Sequence, residues 1–179
     1  MRRITFQTVS RGDICTSPRR VGAKRELTIF KFMFSSTINL FLEVVLATQV
    51  PNIVYVRTPI TTLCPCSLAI SDYGAHSQRG WVKVRIEWSD TDEIVSPQEV
   101  YEKLQKAGSA PIYPLLKRAD ERHVTMLAYE QPAFVEDTAR RAALILQKDP
   151  RISNFDLDIR NEESIHTHDA IANLSYSRP

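Results

Sequence analysis

Hydrophobic and polar positions along this chain fall into a few distinct patterns. Residues 52–58 (NIVYVRT) are β-branched and aromatic, the composition of a strand. Val82, Val84, Ile86 and Trp88 alternate with Lys83, Arg85 and Glu87, which predicts a strand with one buried and one wet face. Between the two runs lies TTLCPCSLAISDYGAHSQRG, rich in turn formers and reactive side chains and without a sustained period, so a loop is expected there. Downstream, Ser96-Pro97-Gln98-Glu99 supplies a capping hydroxyl, a proline for the first helical position and a glutamate to reach back to the cap, predicting a helix over 97–107. Val100, Leu104 and Ala107 make its apolar stripe and Gly108 its stop. A second helix is predicted over 132–148, ended by Asp149-Pro150. Phe155, Leu157 and Ile159 then alternate with Asn154, Asp156 and Asp158, and residues 165–176 form a last extended run. The order strand, loop, strand, helix, helix, strand, strand predicts an α+β unit, an antiparallel four-stranded sheet with two helices on one face. Residues 1–50 carry no comparable pattern.

Composition narrows the class. The 179 residues are 43% hydrophobic and 25% charged, ordinary globular usage that excludes wholesale disorder, collagen-like repeats and a coiled-coil rod. A net charge of +2 leaves no footprint for a nucleic-acid partner. The charge is uneven: residues 1–50 hold eight Lys/Arg against three acids, which leaves fifteen against eighteen in the remainder. The most apolar stretch, 27–50, is broken by Lys31, Ser35, Ser36, Thr37, Asn39 and Glu43, too polar for a membrane span of about 20 apolar residues. Three cysteines, two of them separated only by Pro65, make no disulfide framework and point to reduced thiols in a cytoplasmic setting.

The remaining signals concern chemistry. Cys64, Cys66 and His76 lie in the loop after the first strand, while His166 and His168 stand two apart in an extended segment, where both imidazoles address the same face. Thiolate, imidazole and a carboxylate suit a zinc-like divalent ion with one position left for water. The competing reading makes the cysteines two small buried hydrophobes and the histidines ordinary surface. Glu136 projects onto the side of Ala139, Ala143 and Leu146, and a carboxylate on an apolar stripe needs a partner. A ligand with two adjacent N–H donors or a backbone amide would serve equally. The segment 117–125 (KRADERHVT) offers Lys117 and Arg118 for phosphates and Asp120 and Glu121 for a metal, or is a solvated connector.

TTLCPCSLAISDYGAHSQRG, LLKRADERHVT, AYEQPAFVED and EESIHTHDA, in this order, resemble the type IB GTP cyclohydrolases, metal-dependent enzymes that open folate biosynthesis. The resemblance covers about residues 58–172. It implies the tunnelling fold, in which tandem units of antiparallel sheet plus two helices assemble into barrels with active sites between subunits of a homo-oligomer. GTP is the implied substrate, 7,8-dihydroneopterin triphosphate and formate the products, and one divalent metal ion per site (zinc, manganese or iron) the cofactor. Carried over position by position, it makes Cys64 the essential thiolate and metal ligand, completed by Glu121 and His166. His76 becomes a further ligand or proton carrier, Glu136 the holder of the guanine base, and Glu163 and His168 residues of the same pocket, with His168 a second proton carrier. Lys117, Arg118 and Arg79 are assigned to the triphosphate on charge alone. The chain departs from the family pattern at Ser77, Gly80, Ala119, Glu162 and Thr167, and Glu162 adds charge near the metal. Against the same pattern, 1–50 reads as a basic leader, divergent or truncated where a whole unit is expected, and 51–179 as the catalytic unit. Other readings are an inactive fragment or subunit-interaction module, and an archaeal-type relative making a cyclic phosphate product. A nitrile reductase of the same fold lacks support, since no Glu-Ser-Lys-Ser-type signature is present.

Overall fold

Long runs of inward β-branched side chains set the frame. The computed structural model describes residues 5–10, 27–32, 42–47, 52–88 and 94–179. Strands β1 (Thr5–Ser10), β2 (Leu27–Phe32) and β3 (Leu42–Ala47) come first, followed by β4 (Ile53–Leu63), helix α1 (Pro65–Ile70) and β5 (Ser77–Trp88). Helix α2 (Pro97–Leu104) runs on into a 3-10 turn, Gln105–Ala107; then come α3 (Arg118–Glu130), α4 (Val135–Gln147), β6 (Ile152–Asn161) and β7 (His168–Ser177). One antiparallel sheet has the order β1-β7-β6-β5-β4, and β2 pairs with β3 apart from it. The four expected strands are therefore consecutive neighbours, and β1 adds a fifth on β7, from Thr5↔Asn173 to Ser10↔His168. Cys15 and most of the basic leader lie outside the described residues.

The expected loop over 59–80 is much shorter than its composition implies. β4 and β5 stay in register from Ile53↔Glu87 to Leu63↔Ser77, because Thr58, Ile60 and Thr62 continue the inward β-branched series of Val54 and Val56 and are buried with it. Only residues 64–76 remain to cross between the strands, and half of them form α1. The segment 117–125, expected as a connector or phosphate loop, is mostly the first part of α3. Asp120 starts that helix by accepting the Lys117 backbone N–H at 3.1 Å. Of α3 only Ala128 is buried, so it has no apolar stripe for a periodicity reading to find.

Helices α2 and α4 cover one face of the sheet, and the core between them holds Val54, Ile60, Val82, Ile86, Val100, Leu104, Ala142, Leu146, Phe155 and Ile159. Two expected details change. Ser96 precedes α2 without a side-chain capping bond, and Glu99, expected to reach back to the cap, is taken by Lys103 and by Arg151 at 2.8 Å. Gly108 does end the α2 segment, but its backbone is extended, and the need for glycine is steric: a Cβ there would stand 2.7 Å from the Thr61 carbonyl and 2.9 Å from Ile60. The 109–110 backbone closes onto the edge of β4 at that point, with Thr61 N–H donating to the Ala110 carbonyl at 3.1 Å. No described helix is long and apolar enough to cross a membrane.

Candidate active site

The site builds up at the end of the sheet where β4 hands over to α1 and β6 to β7. Cys64 takes extended backbone angles at the α1 N-cap, its Sγ accepting the Ser67 N–H at 3.5 Å, and Pro65 fills the first helical position. The two sides of the crossing are tied together: Cys64 N–H donates to the His76 carbonyl and His76 N–H to Ser67 Oγ, each at 3.1 Å. The thiol and the imidazole of His76 are thus fixed to one short piece of backbone. Cys64 and Cys66 are both free thiols, the first half-buried and the second exposed.

The turn between β6 and β7 brings the remaining groups. His166 was expected on a strand; it lies in this turn instead, held by its N–H to the Glu163 carbonyl at 3.4 Å, and β7 begins only at His168. The two imidazoles still converge, stacked with centroids 5.0 Å apart, and His76 stands edge-on to His166 at 6.2 Å. Glu163 lies among them. Burial pushes its carboxyl above the ordinary range, while the neighbouring His76, His166 and His168 pull it back down. Gln78 links the groups, its Oε1 2.8 Å from His76 Nδ1 and its Nε2 donating to Glu163 Oε1 at 3.4 Å. Ser164 Oγ is 3.4 Å from the same His76 nitrogen. Neither Gln78 nor Ser164 is among the sequence candidates. The signal for Gln78 was present: carrying the alternation of Val82 and Val84 back two steps puts Gly80 and Gln78 on the buried face.

The other candidates sit elsewhere on the chain. Glu121 is exposed on α3, and among the described residues it forms no metal-binding group with the cluster. Lys117 and Arg118 are exposed at the α3 start, and Arg79 is exposed on β5. Glu136 is half-buried in the first turn of α4, at the margin of the buried stripe of Val135, Thr138, Ala139, Ala142, Ala143 and Leu146 rather than within it. Asp137 beside it pairs with Arg140 at 2.7 Å and accepts the Phe134 N–H at 3.2 Å, while Arg141 reaches the Gly108 carbonyl. Glu162 turns away from the histidines, accepting the Trp81 indole N–H at 3.2 Å. The Arg57 guanidinium lies 3.7 Å over the same indole. A groove of about 740 Å³ on the open sheet face, lined in part by Tyr55, Arg57, Lys83, Arg85, Asp156 and Asp158, includes none of the cluster residues.

The donor types at the sheet end, one thiol and three imidazoles, fit a zinc-like divalent ion. Among the described residues no three His, Cys, Asp or Glu side chains already stand in a metal-binding arrangement. The fit is therefore one of chemistry and neighbourhood, with a carboxylate ligand still to be supplied.

An antiparallel sheet backed by two helices, with thiol and imidazoles gathered at one end, defines a tunnelling-fold unit. A family model described as type I GTP cyclohydrolase folE2 matches residues 23–172, and the chain belongs to that family. It is 50% identical over 117 residues to the GTP cyclohydrolase FolE2 of Thermotoga maritima, a match covering 65% of this chain and 44% of the relative. The FolE2 of Exiguobacterium sibiricum is 46% identical over 120 residues (66% and 40%) and that of Dictyoglomus thermophilum 42% over 127 (71% and 48%). The chain spans less than half the length of the curated relatives it matches.

Proposed function

We propose that this chain carries the catalytic unit of a type IB GTP cyclohydrolase, opening the imidazole ring of GTP with loss of formate to give 7,8-dihydroneopterin triphosphate, the first step of tetrahydrofolate biosynthesis. The observation that supports the reading most is the gathering of Cys64, His76, Glu163, His166 and His168 at one end of the sheet. All five lie in the segments that carry the family resemblance.

Carbon 8 of guanine is a poor electrophile, and the water that attacks it needs activation. When bound, a divalent cation supplies Lewis acidity and brings the pKa of water to about 7. Cys64, with His166 and Glu121, would hold it, with His76 a further ligand or a proton carrier; thiol and imidazole favour zinc, and the carboxylate also admits manganese or iron. As the two C–N bonds at C8 break, the ring nitrogens take up protons, which His76 or His168 would deliver. Glu163 faces both and offsets positive charge on them. Glu136 accepts the ring N–H and exocyclic amine of guanine together, and Lys117, Arg118 and Arg79 meet the triphosphate. Glu121 reaches the cluster from a second copy of the chain, which makes the working form a homo-oligomer.

In an assay supplemented with zinc or manganese, Cys64→Ala is expected to lower formate release from GTP at least about 100-fold. Full release by that variant would sink the assignment. Product analysis separates the dihydroneopterin triphosphate from its cyclic phosphate.

A further inference from the structure

Gln78 is 8% exposed, on the inward face of β5. We propose that Gln78 is a positioning residue that sets the tautomer of His76, keeping the proton on Nδ1 and leaving the lone pair on Nε2. The consequence for catalysis rests on the reaction proposed above; the tautomer itself does not.

A side-chain amide has a donor end and an acceptor end. Glu163, when ionised, can only accept, so the amide nitrogen of Gln78 faces it, 3.4 Å from Oε1. That leaves the amide oxygen turned to His76, 2.8 Å from Nδ1. An amide oxygen cannot donate, so the hydrogen of this short contact belongs to the imidazole nitrogen. Ser164 Oγ, 3.4 Å from the same nitrogen, is a longer second acceptor for that hydrogen. On β4 the residue across from Gln78 is Thr62, whose buried hydroxyl makes no hydrogen bond among the described residues. The Gln78 amide therefore has no competitor from that strand.

The backbone supports the same arrangement. His76 is held at its N–H by Ser67 Oγ and at its carbonyl by Cys64 N–H, so ring rotation is its main remaining freedom, and the bond to Gln78 removes it. An imidazole protonated on Nδ1 presents at Nε2 a lone pair that accepts a proton or binds a cation. The opposite tautomer would put a hydrogen there and do neither. Both roles open to His76 thus depend on a residue that acts through it.

Long-range proton–nitrogen correlation spectra of the ¹⁵N-labelled full chain, recorded without metal or GTP at alkaline pH where imidazoles are neutral, read the tautomer directly. The His76 signals are assigned by their loss in His76→Gln. Wild type is expected to show His76 protonated on Nδ1, Gln78→Glu to keep that pattern because a carboxylate also accepts, and Gln78→Leu to shift His76 toward the Nε2–H form. Wild-type His76 protonated on Nε2, loss of the Nδ1–H form in Gln78→Glu, or its retention in a folded Gln78→Leu would overturn the proposal. Should Gln78→Leu fail to fold, wild type and Gln78→Glu decide alone. A chain with the expected tautomer but no GTP turnover would count against the proposed reaction and leave this inference standing.

Discussion

Glu136 is half-buried in the first turn of α4 with no hydrogen bond or ion pair from its side chain among the described residues. A carboxylate there is favoured by the free N–H groups of the helix start, so the position is stable without a side-chain partner. That leaves both oxygens open to a base presenting two adjacent N–H groups. Glu136→Gln keeps the shape but replaces one acceptor with a donor and removes the charge. The expected outcome is a fall in kcat/KM for GTP of about 100-fold, the loss of a charge-assisted bidentate contact plus an opposed donor, with the circular dichroism spectrum unchanged. An unchanged kcat/KM would remove Glu136 from base recognition. Glu162 shows how a suspicious charge can be neutral to a site: its carboxylate is taken by Trp81 on the open face of the sheet.

Between elements, an electrostatic joint lies away from the site, where α2 meets the turn from α4 into β6. Asp149 accepts Arg151 Nη2 at 2.6 Å and Lys103 Nζ at 3.4 Å, and Arg151 reaches across to Glu99 at 2.8 Å. The bond from Arg151 holds the Asp149 carboxyl at about 2, below its ordinary 3.8, against the opposing effect of burial. A depressed folded-state pKa means the native chain favours the charged carboxylate. The stability it contributes is complete above 3.8 and is lost as pH falls from 3.8 to about 2. The difference corresponds to roughly 2 kcal/mol, and Asp149 is buried enough for that figure to hold to order of magnitude. Urea unfolding of wild type is expected to lose about that much stability between about pH 5 and about pH 2.5 in excess of Asp149→Asn, which starts lower by a similar amount. Parallel acid dependence in the two proteins would refute the joint.

At the scale of the whole molecule, apolar side chains remain exposed near the site end and around α3: Ile70, Tyr73, Leu115, Met126, Tyr129 and Ile165. A helix that buries only Ala128 contributes little to its own chain's core, and a partner surface would use what it leaves bare. The proposed oligomer places Glu121 of one copy near the thiol and imidazoles of another. Sedimentation is expected to give a multiple of the monomer mass, with bound metal and GTP turnover confined to that fraction. Turnover by a monomer would exclude a shared site, and a metal-free inactive monomer would favour the reading as an interaction module.

Strand and helix periodicity, a proline at a helix start and the order of the elements were legible because they depend on side-chain spacing along a single element. From these the sequence determined the sheet, two of its covering helices and the reactive residue types. The lengths of β4 and β5 were not legible, since strand pairing carried Pro59, Ser77 and Gly80 into a ladder that their local preferences do not choose. Helix α3 escaped for a related reason: with almost nothing buried, it has no stripe to read. The convergence of His166 and His168 was expected from strand spacing, but it arises from the β6–β7 turn. That Gln78 joins His76 to Glu163, 85 residues away along the chain, was decided only by the antiparallel register. Such a contact depends on which strands become neighbours, and no spacing within one element encodes it.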